Sequence, residues 1–302
     1  MQTIFFFYGL AFLVMGVVIF LMPKKNDLLG LSADLWLLGL FGILHGLNEW
    51  VDLFITRGSP FDVEALTVFG GLLLPLSFVL LVQFGVRVLF RETRSFRSLK
   101  HLWVIPLAGW AAACFLTPGF LISGIVARYF ICFPGALLTA TALFRALLKV
   151  EKKELPTTVF SGGIGAVVCF VFYGVLSGLV VPRADFILAS FINYPHFLEI
   201  AGVPAQFFRM ICAIFLAASF FAVTGVYSFS PGKKKIVRRG GIQRKAMLAF
   251  WGFSFFVVLL VVGLVFTWSY RSILVNIGQE QLKVAGMLSD SIRDLLNQVL
   301  SY

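Results

Sequence analysis

The stretch LWLLGLFGILHGLNEWVDLFI, residues 35–55, decides how this chain is read. It is long and apolar enough to cross a bilayer, yet it carries His45, Asn48, Glu49 and Asp52. Spacings of three, four and seven put these four on roughly one helical face. An ionisable side chain at membrane depth costs about 2.5 kcal/mol or more, so it turns towards protein or water. One reading is a hydrogen-bond network that packs helices. The other is a site for a ligand, a proton or a haem.

The rest of the chain extends that stretch. Hydrophobic residues make up 60% and charged residues 13%, and apolar runs recur from end to end. The fold class expected is all-α, a polytopic membrane bundle of about eight helices over residues 4–22, 35–55, 65–90, 102–116, 125–150, 157–181, 205–229 and 246–268. The fourth is the weakest, a short run bounded by Pro106 and Pro118. The first has no basic segment before it and no small-residue cleavage site after it, so it reads as a retained helix. Two regions follow: a seven-helix membrane module over 1–245, then an eighth helix running into an extracytoplasmic helix over 246–302.

Orientation follows from the basic residues. Lys24, Lys25, Arg87, Arg91, Arg94, Arg97, Lys100, Arg145, Lys149, Lys152, Lys153, Lys233, Lys234, Lys235, Arg238, Arg239, Arg244 and Lys245 fall in alternate loops, which is 18 of the 25. The positive-inside rule makes those loops cytoplasmic and puts both termini outside. The net charge of +11 is therefore a topology signal that also favours anionic lipid headgroups, and it gives no reason to expect nucleic acid.

Polar groups gather towards the outer half. Arg128 and Arg209 enter at the outer ends of the fifth and seventh spans, and Glu64 opens the third. Ion pairs of Arg128 or Arg209 with Glu49, Asp52 or Glu64 are expected, because an unpaired charge there is costly. The outer loop PRADFILASFINYPHFLEIAGVP, residues 182–204, suits an interfacial helix or lid, from which His196 could reach a site lined by His45. The candidate site is thus His45, Asn48, Glu49, Asp52, Glu64, Arg128, His196 and Arg209.

Chemistry is sparse elsewhere. Cys114, Cys132, Cys169 and Cys212 are scattered one to a span, with no CxxC pair, and read as buried thiols. No metal-ligand cluster is visible, and haem would need two histidines at one depth. There is no phosphate-binding loop, nucleophile elbow or zinc signature, so no catalytic residue is assigned. Gly42 and Gly46 flank His45, and Gly174 and Gly178 repeat the GxxxG spacing, which favours close helix approach. Pro134 is expected to kink the fifth span. Past Tyr270 the chain turns polar, with Ala285, Leu288, Ile292, Leu295 and Val299 at steps of three and four, an apolar seam wanting a partner.

FFFYGLAFLVMGVVIFLMP (residues 5–23), LHGLNEW (44–50) and GVPAQFFRMICA (202–213) resemble the N-terminal multi-helix module of bacterial membrane sensors. In that group the module precedes histidine kinase or diguanylate cyclase output domains. EQLKVAGMLSDSIRDLLNQVLSY (280–302) resembles the first helix of an extracytoplasmic Cache-type domain. The resemblance implies the input region of a bacterial inner-membrane signalling protein, a two-component sensor histidine kinase without its output here. It also implies a homodimer through the last helix and a small or lipid-soluble ligand. A transporter with an ion or proton path, and a haem-binding membrane module, remain the other readings.

Overall fold

The computed structural model describes residues 1–22, 27, 29–58, 62–91, 101–116, 120–150, 155–185, 187–227, 277–293 and 296–297. The region expected to hold an eighth span, 246–268, lies outside the described residues, as do Leu295 and Val299 of the seam. Among the described residues the structure is helical, with one isolated bridge between Val181 and Asn193 and no strand. The helices are α1 (Gln2–Phe20), α2 (Leu35–Arg57), α3 (Val63–Phe90), α4 (Val104–Leu116), α5 (Phe120–Ala127), α6 (Phe133–Lys149), α7 (Thr157–Gly174), α8 (Ile187–Phe191), α9 (Tyr194–Ala201) and α10 (Ala205–Tyr227). A π-helical turn, Arg128–Cys132, joins α5 to α6, and another, Val175–Leu179, ends α7. The chain divides into two units, Met1–Ser254 and Phe255–Tyr302.

Six helices of the first unit are long and apolar enough to span a bilayer: Gln2–Phe20, Leu35–Arg57, Val63–Phe90, Leu121–Lys149, Thr157–Leu179 and Ala205–Thr224. They pack in chain order as a closed ring, with α1 on α2, α2 on α3, α3 on α6, α6 on α7, α7 on α10 and α10 back on α1. Glycines set the closest contacts. A Cβ on Gly46 would lie 2.7 Å from the Gly9 carbonyl oxygen, and one on Gly42 would lie 2.7 Å from that of Phe12. Small residues let α1 and α2 approach to backbone contact, which encloses the α2 face carrying His45.

Packing direction bears on the short fourth helix. Thr139 donates to the Leu81 carbonyl and Arg145 to that of Leu89, so α3 and α6 run parallel. The chain must therefore cross back between them, and α4 lies on that return. Its 13 residues span about 20 Å, less than the ~30 Å of a hydrocarbon core, and it packs on α5 and the first π turn, outside the ring.

Termini of the helices follow ordinary capping chemistry. Gly58 ends α2 in the left-handed region at φ 72°, and the Asp62 carboxylate accepts from the Glu64 N–H to open α3. Asn193 accepts from the His196 N–H to open α9. At the opposite end of the ring Asp34 precedes α2. Its buried carboxylate accepts from Arg87 Nε at 2.6 Å and from Arg91, which also donates to the Gly30 carbonyl at 2.5 Å. Arg87 and Arg91 are thus more than topology signals: they tie the loop before α2 to the last turn of α3. Nothing in the spacing of Asp34 announces that role.

In the second unit a helix covers residues 277–293. Leu282, Val284, Met287, Leu288 and Ile292 are all exposed on it, so its apolar side chains are uncovered within this unit.

Candidate functional site

His45 lies halfway along α2 and is 1% exposed. Its ring is enclosed by aromatic rings from four helices. Phe12, Phe78 and Phe41 lie at centroid distances of 4.8, 5.0 and 5.2 Å, and Tyr173 and Tyr8 lie at 5.8 and 6.1 Å. Both ring nitrogens are used. Nδ1 is 3.1 Å from Ser77 Oγ, and Nε2 is hydrogen-bonded to the Tyr173 hydroxyl, which lies 2.6 Å from that of Tyr8.

The direction of this chain can be worked out from one end. Ser77 Oγ donates its single hydrogen to the Leu74 carbonyl at 2.7 Å, so it must accept from His45. His45 therefore carries its hydrogen on Nδ1, and Nε2 is an acceptor. Tyr173 donates to Nε2, which leaves Tyr8 to donate to Tyr173. The result is a directed relay, Tyr8 to Tyr173 to His45 to Ser77 to Leu74, drawn from α1, α7, α2 and α3. Glu49 joins it from one turn away: Oε1 is 3.4 Å from His45 Nε2 and 3.4 Å from Asn48 Nδ2. Both Asn48 and Glu49 are buried, and Asp52, a further turn along, is half-buried.

The two arginines do something other than expected. Arg209, buried at 4% exposure, donates through Nε at 3.0 Å and Nη2 at 2.5 Å to the Leu176 carbonyl, and through Nη2 at 2.8 Å to that of Val180. Arg128 Nη1 donates to the Ser177 carbonyl at 2.9 Å. Among the described residues neither forms a salt bridge to Glu49, Asp52 or Glu64, which corrects the ion pairs expected above. The physical reason is the C-terminal end of α7. Its last carbonyls have no intrahelical partner and carry the negative end of the helix dipole. In a low-dielectric setting they compete successfully for a guanidinium that offers several donors in a fork. The guanidinium charges still act on Glu49 and Asp52 through space.

The π turns make this geometry possible. Pro134, two residues past the first, has no N–H to give an upstream carbonyl, so the expected kink takes the form of a widened turn. The second contains Gly178, where a Cβ would lie 2.5 Å from Phe133 Cβ. The two turns pack together, and the second presents the Leu176 and Ser177 carbonyls to arginines from other helices.

Of the remaining candidates, Glu64 is exposed at the start of α3, outside the relay. His196 is exposed on α9 and lies 3.6 Å from Glu199; the structure does not bring it to His45. The sequence reading missed Tyr8, Tyr173, Ser77 and Tyr194. Tyr194, outside the spans on α9, accepts from Arg209 Nη1 at 3.4 Å and carries its guanidinium 5.3 Å above the ring. Burial opposes ionisation of that phenol, but Arg128 and Arg209 outweigh it and hold its pKa below the ordinary tyrosine value. A lowered folded-state pKa means that the associated stability is fully present above the unfolded value of about 10 and is lost as pH falls through the folded one. An absorbance titration should show one tyrosine ionising ahead of the others, and Tyr194→Phe should abolish that early phase.

Haem does not fit this site. Both His45 nitrogens are engaged, its ring is walled by aromatic side chains, and His101 and His196 are exposed. No group of three metal-ligating side chains occurs among the described residues, and all four cysteines are free. No family model, curated protein or solved structure matches this chain.

Proposed function

We propose that this chain is the membrane-embedded input region of a bacterial signal-transduction protein of the sensor histidine kinase or diguanylate cyclase type. The observation that carries the reading is the buried relay, which links four helices through one histidine and contains no arrangement suited to bond-making chemistry. A change at Glu49 or His45 reaches α1, α3 and α7 together, as an input site requires. The half of the ring towards Asp34 is lined by buried apolar side chains, among them Met15, Ile19, Leu37, Leu38 and Phe170, and its cavity of about 20 Å³ beside Leu31, Leu35 and Phe220 is apolar, which weighs against a path for ions.

In this reading the Asp34 end faces the cytoplasm of the inner membrane, with both termini outside. The support is the distribution of lysine and arginine, the parallel run of α3 and α6, which needs one crossing beyond the six long helices, and the apolar run 246–268 as an eighth. The uncovered apolar side chains of 277–293 suit a second copy of the chain, and lipid surrounds the bundle.

The test joins the chain, through one added membrane-spanning helix that returns it to the cytoplasm, to a diguanylate cyclase domain in bacterial cells and measures cyclic dinucleotide. Output altered several-fold by Tyr173→Phe at equal membrane abundance supports the reading. Output indifferent to Tyr173→Phe, to Glu49→Gln and to deletion of residues 1–245 refutes it.

A further inference from the structure

We propose that His45, Glu49 and Asp52 form a proton-binding site reached from the Arg209 end of the bundle, and that loading it moves the Tyr173 hydroxyl from His45 to Ser177. This rests on the relay being an input site and names the stimulus as a proton taken from the outer aqueous phase.

Acceptors are short around His45. His45 Nε2 has one lone pair but two neighbours able to contend for it: the Tyr173 hydroxyl, already bonded to it, and Glu49 Oε1 at 3.4 Å. When Glu49 is protonated it donates its O–H to Nε2, and Tyr173 loses its acceptor. A second acceptor is in place. Ser177 lies one turn after Tyr173, is 2% exposed, and its Oγ has no hydrogen-bond partner although it approaches the Tyr173 hydroxyl. A buried hydroxyl without a partner costs about 1–3 kcal/mol, so its retention beside Tyr173 calls for a use.

The entry route is the α2 face itself. Asp52 is half-buried and lies three residues beyond Glu49, close enough for side chains on one helical face to exchange a proton directly or through water. The steps balance without any electron transfer. A hydronium protonates the Asp52 carboxylate and leaves water, and Asp52 passes that proton to Glu49. The protonated Glu49 then donates its O–H to Nε2 of His45, with no further bond broken, and Tyr173 turns its O–H to Ser177 Oγ.

Other groups around Glu49 set the balance. Tyr8 faces it from α1, Tyr173 from α7, Arg128 from the first π turn and Arg209 from α10, while α3 contributes the neutral Ser77. The arginines favour the emptied carboxylate. Because the Ser177 carbonyl is held by Arg128, a hydrogen bond arriving at Ser177 Oγ acts on the π turn that the arginines clamp.

The test is infrared difference spectroscopy, acid minus alkaline, on the full chain in neutral-lipid nanodiscs. A protonated-carboxyl band should appear on acidification and be absent in Glu49→Gln. After a pH jump in Asp52→Asn it should rise about tenfold more slowly or worse. Ser177→Ala should keep the carboxyl band but lose the accompanying shift of the tyrosine ring mode. Nitrogen shifts of His45 in the unsubstituted chain read the same event without relying on any variant to fold: the ring should keep its neutral Nδ1–H form while the Nε2 shift moves as its donor changes from Tyr173 to Glu49. A carboxyl band that survives Glu49→Gln, a tyrosine shift indifferent to Ser177→Ala, or a His45 ring unchanged by acid would overturn the proposal. These readouts need no output domain, so they fail or succeed independently of the cyclase fusion.

Discussion

Replacing Arg209 with leucine should destabilise the bundle by about 2–4 kcal/mol, because the Leu176 and Val180 carbonyls would be left buried without donors. Leucine fills much of the side-chain volume, so the loss reports on hydrogen bonding more than on a cavity. Lysine should recover only part of it: a single ammonium cannot span two carbonyls as the guanidinium fork does. Arg128→Leu should cost clearly less, since Arg128 is half-buried and gives one bond to the Ser177 carbonyl. Unfolding in increasing denaturing detergent, followed by circular dichroism, ranks the three. Equal losses for Arg128→Leu and Arg209→Leu would show that both act as bulk charges and not as caps on the π turn.

Gly46→Ala should cost about 1–3 kcal/mol despite adding a single methyl group to a helix, where alanine is the better helix former. The added Cβ would sit 2.7 Å from the Gly9 carbonyl oxygen and 2.8 Å from Leu13 Cγ, and backbone cannot swing aside as a side chain can. Helices α1 and α2 must part, and the ring wall that shields His45 opens with them. Gly109→Ala on α4 provides the contrast. Nothing lies within 4 Å of a Cβ there, so the same substitution should be neutral or stabilising. Should both variants melt alike, close α1–α2 contact would not be what holds this wall.

Much of this architecture is legible in the residues. Apolar runs mark α1, α2, α3, α7 and α10 because each is uninterrupted at spanning length, and the His45–Asp52 face stands out because polar side chains are rare in such runs. Tyr8 and Tyr173 are not legible in the same way. A tyrosine in an apolar run looks like packing, and their hydroxyls meet across 165 residues of sequence, a separation over which helical periodicity carries no information. Arg209 misleads for a related reason. Charge cost correctly predicts that it must be compensated, but the compensating groups are backbone carbonyls freed by a π turn, and every residue has a carbonyl. Asp34 reads as a loop acid until α3 brings Arg87 and Arg91 beside it.

Tyr8, Tyr173, His45 and Ser77 act as one hydrogen-bonded unit across four helices. A double-mutant cycle between its two ends tests this most directly, because Tyr8 and Ser77 share no bond and meet only through the relay. Tyr8→Phe and Ser77→Ala, measured singly and together by detergent unfolding of the full chain, should show a coupling of about 1 kcal/mol. Losses that add to within about 0.3 kcal/mol would mean that the two ends are independent and would contradict the account.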